Sequence, residues 1–320
     1  MWARYDEGMM QSNAKMEKIK GWFALDRPPF HTVGVLPFAL GAVMAWRVSG
    51  TFSWALWMWG ALGVILIMTS AYLAGEYFDY EGDCISRQTY PSRFAGGSGA
   101  LQAGLVPRYV PLVGSVIAIL LAIIVGLIIQ FGYQTGPWTI PLGALGIVAG
   151  FFYSTPPLRW VATGVGELWI AFCYGWLPVA VAYYLQVGRF DSLVHWISLP
   201  IAATIFNVIL LNEYPDYQAD RATGKRTMLV RLGRERGAWL FAAVHALGWL
   251  GVLASVVWGS VPAQMLHYYV LPLALSAGLA IAVLRGVYRN PDCLEIACGL
   301  NIAVNLTSTF AYIATFFWEI

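Results

Sequence analysis

This sequence has little charge. Lys, Arg, Asp and Glu make up 11% of its 320 residues, against roughly 25% in a soluble globular domain. So few ions cannot cover a water-facing surface, which excludes an ordinary cytosolic enzyme. Metal-binding and disulfide residues are also sparse: there are four histidines, and Cys84, Cys173, Cys293 and Cys298 follow no metal-ligand spacing. They read as free thiols. No basic run is interleaved with aromatics as a single-stranded nucleic-acid groove requires, and a net charge of +2 gives no footprint for nucleic acid. The stretch before His31 carries both signs of charge and is too polar for a signal peptide.

Apolar sequence is plentiful. Hydrophobic residues make up 59% of the chain and gather in segments of roughly 20 residues, the length that crosses a hydrocarbon core as helix. Nine such spans are expected, at 31–48, 53–74, 109–131, 137–153, 168–186, 194–212, 237–258, 268–284 and 297–318. The expected fold is all-α and polytopic, with residues 1–30 as an N-terminal segment and 31–320 as one transmembrane domain. Of 19 basic residues, 17 fall before the first span or after even-numbered ones, and only Arg47 and Arg189 lie on the alternate connections. The positive-inside rule makes the first side cytoplasmic. The N-terminus is then inside, the C-terminus outside, and a polar cap forms on the cytoplasmic face of a cell membrane.

The acidic residues are concentrated. GEYFDYEGD at 75–83 holds Glu76, Asp79, Glu81 and Asp83; NEYPDYQAD at 212–220 holds Asn212, Glu213, Asp216 and Asp220. Both follow E-Y-x-D-Y-x-x-D, and each begins at the cytoplasmic end of an even-numbered span, suggesting pseudo-repeats. On a continuing helix, acids spaced by three and four share a face. Two carboxylate clusters facing one cavity repel unless cations lie between them, and hard oxygen ligands with phosphate suit Mg²⁺. Solvated loop carboxylates are the plain alternative, but they give no reason for a repeated spacing.

Neighbouring residues extend the phosphate reading. Arg87 and Arg93 follow the first motif; Arg221, Lys225 and Arg226 follow the second. These cations can pair with the carboxylates or with anionic oxygens. Arg231, Arg234 and Arg236 are assigned to topology and anionic-lipid contact. The run 95–99, AGGSG, lacks a phosphate-loop pattern and is expected to turn into a short amphipathic helix before the third span. Tyr77, Tyr80, Tyr214 and Tyr217 have two readings, contact with a cation through their ring faces or interfacial anchoring. Glu167 opens an apolar span, either facing a cavity or satisfying helix-start amides.

Together these motifs resemble those of the UbiA superfamily of intramembrane prenyltransferases, closest to its 1,4-dihydroxy-2-naphthoate branch in menaquinone synthesis. The similarity runs from Arg27-Pro28 through the ninth span. Its most specific part is 212–233, which resembles N-D-x-x-D-x-x-x-D followed by G-K-x-T, with Glu213 replacing aspartate. In the first motif, Glu76 replaces an aspartate and Gly75 an asparagine. Tyr153, Ser154, Gly164, Gly166 and Glu167 resemble the G-Y-x-Y…G-x-G-E stretch of the naphthoate branch.

The resemblance implies nine transmembrane helices and Mg²⁺ held by Glu76, Asp79, Asp83, Asn212, Glu213, Asp216 and Asp220. It implies diphosphate contacts from Arg87, Arg93, Asn212, Arg221, Lys225, Arg226 and Tyr153. The catalytic set it implies is Asp79, Asp83, Asp216, Asp220, Lys225 and Glu167, with Glu167 and Glu76 as candidate bases. The implied reaction joins a polyprenyl group from its diphosphate to a small aromatic acceptor. Alternatives are 4-hydroxybenzoate, homogentisate, chlorophyllide or a glycerol phosphate as acceptor, or cation-coupled transport of an amphiphile. Membrane lipid is an implied partner; the oligomeric state is left open.

Overall fold

The computed structural model describes residues 16–318, so Arg4 and Lys15 of the charge pattern lie outside the described residues. Among those described, each of the nine expected segments is helical. Helix α1 spans Thr32–Ser49, α2 Trp54–Phe78, α3 Tyr80–Thr89, α4 Val110–Gly132 and α5 Thr139–Ser154. Then come α6 at Gly166–Val187, α7 at Ser192–Ala222, the short α8 at Met228–Leu232, α9 at Arg234–Val257, α10 at Val270–Leu284 and α11 at Pro291–Trp318. Among the described residues, seven helices are long and apolar enough to cross a membrane, counting α1 with its lead-in from Met16; α5 and α10 are shorter apolar helices. The protein is an all-α polytopic membrane protein.

Local chemistry sets the boundaries. Ser53 accepts the Leu56 amide at 3.3 Å and Asp191 the Leu193 amide at 2.9 Å, capping α2 and α7. The outward face of α4 bears Val113, Ile117, Leu120 and Ile124, each at least 50% exposed. A continuous aliphatic face of that kind suits lipid, not water.

Packing follows membrane rules, with small residues and buried amides between helices. At Gly41 in α1, any Cβ would run into the Val179 carbonyl of α6, so only glycine permits that approach. Deeper in the bundle, Asn207 of α7 donates to the Phe241 carbonyl at 3.0 Å, and Asn301 of α11 donates to the Asn207 carbonyl at 2.8 Å. Asn305 donates to Thr204 Oγ1 at 2.8 Å. These bonds lock α7, α9 and α11 together and fix the helix that carries the second acidic motif.

The two motifs differ in backbone. Helix α7 continues unbroken through 212–222, so the whole second motif is helical. The first is interrupted: α2 ends at Phe78, Asp79 leaves helical geometry, and Tyr80 starts α3. The amphipathic helix expected after the glycine run is absent, and residues 100–104 form turns instead. Gly96, Gly97, Gly99 and Gly104 all have positive φ, from 65° to 82°, a backbone that cannot continue as right-handed helix.

Candidate active site

Helices α2, α4, α5 and α6 surround an elongated cavity of about 360 Å³, completed by parts of α1 and α7, within the usual range for small-molecule sites. One end is acidic, lined by Glu76, Asp79, Asp83, Glu213, Asp216 and Asp220 with Arg27 and Lys225. The rest is apolar and glycine-rich, reaching Gly60, Ile129 and Leu185. Both motifs meet at one end of one cavity.

Lys225 is their junction. It is buried, and its Nζ lies 2.8 Å from Asp79 Oδ1 and 3.8 Å from Asp220 Oδ1. Burial opposes its charge, yet Asp79 and Asp220 hold the ammonium above the usual lysine range. Asp79 also accepts from Ser154 Oγ at 2.7 Å and from Arg159 at 3.2 Å. Burial works against ionising Asp79, but Lys225, Ser154 and Arg159 outweigh it and keep the carboxyl below its ordinary value. Asp83 is pushed well above the ordinary range, first by burial and then by the charge of Asp79.

The glycine loop closes this end. Ser98 donates to Glu76 through its amide at 2.6 Å, to Oε1, and its hydroxyl at 2.9 Å, to Oε2, while Arg27 also donates to Oε1 at 2.9 Å. Glu76 is therefore a clasp joining the N-terminal segment, α2 and the loop. Asp216 accepts from the Ser86 hydroxyl and from the Gly96 amide at 3.4 Å, which ties α7 to α3 and the loop. Gly97 has φ 67°, and a Cβ there would collide with the Asp83 carboxylate. Two requirements, the backbone angle and the close approach, select glycine at that position.

Several expected residues are placed elsewhere. Arg87 reaches the cavity wall only indirectly, donating to the Gly96 and Gly97 carbonyls at 2.8 and 3.0 Å and so shaping the loop. Arg93 pairs with Glu295 at 2.9 Å on the surface. Arg226 is exposed, and Arg221 stacks over Tyr217 outside the cavity. Glu167 is not on the cavity wall. Its Oε1 accepts the Met228 amide at 2.6 Å, next to Glu213, which accepts the Leu229 amide at 3.3 Å. Both acids thus cap α8 and set the loop that presents Lys225, which is the amide-satisfying reading in a form where the helix start belongs to another element. Tyr77 and Tyr80 lie under Arg108, and Tyr214 is buried, bonding the Arg234 carbonyl at 2.8 Å. The cavity tyrosines are Tyr72, Tyr153 and Tyr174. Tyr72 stands one turn from Glu76 on α2, a spacing that marks its face; nothing in the sequence marks Tyr174.

The residues present fit a divalent cation by their chemistry. Six carboxylates line the acidic end against two cations, and the buried Asn212 Oδ1, on the same wall, has no hydrogen-bond partner among the described residues. As placed, no three His, Cys, Asp or Glu among the described residues converge to hold an ion; Lys225 instead pairs with Asp79 and Asp220. All four cysteines are free thiols, as expected.

The chain is 25% identical over 293 residues to a 1,4-dihydroxy-2-naphthoate octaprenyltransferase of Bacillus subtilis, covering 90% of this chain and 89% of that one. It is 26% identical to a 2-carboxy-1,4-naphthoquinone phytyltransferase of Synechocystis, with 90% and 89% covered. Its fold is similar to that of a UbiA homolog from Archaeoglobus fulgidus solved with DMAPP and Mg²⁺, with a TM-score of 0.58, 16% identity, and 92% and 99% of the two chains covered. The family model of the UbiA prenyltransferases matches residues 35–304, most of the chain and all six carboxylates of the cavity's acidic end, and this intramembrane enzyme belongs to the UbiA prenyltransferase family.

Proposed function

We propose that the protein transfers a polyprenyl group from its diphosphate to 1,4-dihydroxy-2-naphthoate, with Mg²⁺, releasing diphosphate. The carrying observation is the cavity's polarity: carboxylates and Lys225 at one end, a long apolar shaft behind them. That is the shape of a donor with an anionic head and a hydrocarbon tail. The naphthoate acceptor is supported by the relatives' names and by the retained Tyr153–Glu167 stretch. Alternation of charge along the chain supports nine crossings, with α5 and α10 among them, and the acidic end on the cytoplasmic side.

In this reading Asp79, Asp83, Asp216 and Asp220, with Asn212, hold Mg²⁺, which when bound neutralises charge on the departing diphosphate. Lys225 moves from its carboxylate partners to a phosphate oxygen, keeping a charge-assisted bond throughout. The C1–O bond of the donor breaks, the electron-rich ring bonds to C1, and a proton leaves the attacked carbon. Tyr72, Tyr153 and Tyr174 present ring faces to the electron-poor C1 and, with the loop, exclude water that would capture it. Glu76 and Glu213 position the site through their clasp and cap.

The test is product mass spectrometry on the purified protein in nanodiscs, offering a prenyl diphosphate with naphthoate, hydroxybenzoate, homogentisate, chlorophyllide and glycerol phosphate acceptors, with Mg²⁺ or EDTA. A Mg²⁺-dependent prenylated naphthalene supports the proposal. Product from another acceptor alone rejects the naphthoate assignment, and vectorial movement of an amphiphile without product would make the protein a carrier.

A further inference from the structure

We infer that the cavity selects its donor by length, admitting about four to five isoprene units, and that Gly143 and Gly126 keep its distal part open. The inference rests on the prenyl-transfer reading above and names the donor class that reading leaves undefined. Helix α2 shows one face to the shaft, through Gly60, Gly63, Ile67, Ala71 and Gly75. The 15 residue steps from Gly75 to Gly60 rise about 22 Å. An extended chain advances about 1.2 Å per bond, judged from the peptide's reach, so an isoprene unit with four chain bonds spans about 5 Å. The shaft therefore holds four to five units in line behind C1.

On the α2 side the far end is packed. A Cβ on Gly60 would meet the Phe38 ring and lie 3.0 Å from Leu185 Cδ1, and both side chains are buried. Midway the walls are close: a Cβ on Gly146 or Gly150 would contact Ile67 or Ala71 at 3.2–3.3 Å. Between these two levels lies a wider chamber. Gly143 on α5 and Gly126 on α4 both line the cavity, and a Cβ at either meets nothing within 4 Å. Both have ordinary helical backbone, so a larger side chain there fills space without backbone strain. Gly143 lies about 16 Å along α5 from Ser154 at the acidic end, leaving room for about three units above a leucine at that position.

The experiment measures kcat/KM for donors of two, three, four, five and eight isoprene units, on the purified protein in nanodiscs with saturating acceptor. The wild type is expected to favour four or five units and to use eight at least tenfold less well, since units beyond the packed end must be forced into filled space. Gly143→Leu is expected to lower the four-unit to three-unit ratio at least tenfold. Gly126→Leu, on another helix, shifts the ratio the same way and stands in if the first variant does not fold. Gly278→Leu on α10, also at open space but away from the cavity, keeps the wild-type ratio. Equal use of eight and four units by the wild type, or an unchanged ratio in both cavity variants, overturns this inference alone. Absence of transfer from every donor to every acceptor overturns the prenyl-transfer reading itself and this inference with it.

Discussion

The Lys225 ammonium lies 2.8 Å from the Asp79 carboxylate, joining the two acidic motifs across the mouth of the cavity. Removing it leaves Asp79 and Asp220 facing each other without their shared cation. Lys225→Ala is expected to lower kcat by about 10²–10³-fold, the scale of losing one preorganised charge-stabilising donor. The Mg²⁺ concentration for half-maximal activity should fall, because a competing cation has gone. A Mg²⁺ titration of initial rates reads both effects, and a rise in the Mg²⁺ requirement would contradict the placement.

Metal removal should be complete and reversible in its effect. EDTA is expected to abolish product formation and excess Mg²⁺ to restore it. Asp216→Asn, which keeps the side chain's shape and its acceptance from Ser86, should lower activity at least 10²-fold and raise the Mg²⁺ requirement. An Asp216→Asn enzyme with wild-type Mg²⁺ dependence would remove that aspartate from the metal set.

Asp83 and Asp79 predict opposite pH trends in the metal-free protein. Asp83 is held above its ordinary value, so the fold binds more protons than the unfolded chain, and its contribution is lost as pH rises from the usual carboxylate value through the raised one. Asp79 is held below its ordinary value, so its contribution is present above the usual carboxylate value and is lost as pH falls through the lowered one. Thermal unfolding in EDTA should show stability declining with rising pH above about pH 4, the unperturbed carboxylate value, and Asp83→Asn should flatten that decline. Added Mg²⁺ should reverse it in the wild type.

Glu76 separates clasp from ligand. Glu76→Ala strands the Arg27 guanidinium and two donors from Ser98, and the cost expected for breaking a buried pair is about 3–5 kcal/mol. Thermal unfolding measures that loss. Glu76→Gln, which still accepts hydrogen bonds, should recover part of the stability and keep the wild-type Mg²⁺ half-saturation. A raised half-saturation would return Glu76 to the metal set.

Much of this was legible in the residues, because a bilayer restricts the grammar of a chain. Apolar length located all nine helical segments, since a lipid-facing backbone must bond to itself. The spacing of Asp79, Asp83, Asp216 and Asp220 marked the acidic end, and Lys225 was visible beside them. What stayed hidden depends on neighbours distant in sequence. Glu167 and Glu213 carry the same charge as the cavity aspartates, and only the fold sends them to the α8 amides. Arg93 follows the first motif closely yet finds Glu295 on the last helix. The break at Asp79 was invisible because the two motifs read alike, while only one is braced from within by Asn207 and its partners.

The polarity of the cavity also bears on the membrane as an insulator. A shaft that nearly crosses the bilayer is a potential leak for protons and small cations. Here the charged groups stop at one end, and beyond Gly75 the walls of α2 and α6 carry no charge, being aliphatic side chains and glycine with Tyr72, Cys173 and Tyr174, down to the packed floor at Phe38 and Leu185. An ion entering at the aspartates faces the cost of crossing that stretch without a counter-charge, several kcal/mol at mid-bilayer. A hydrocarbon chain in the shaft stoppers it further. The enzyme can thus bring a dianionic headgroup and a membrane-soluble tail into one chamber while leaving the membrane's electrical resistance intact.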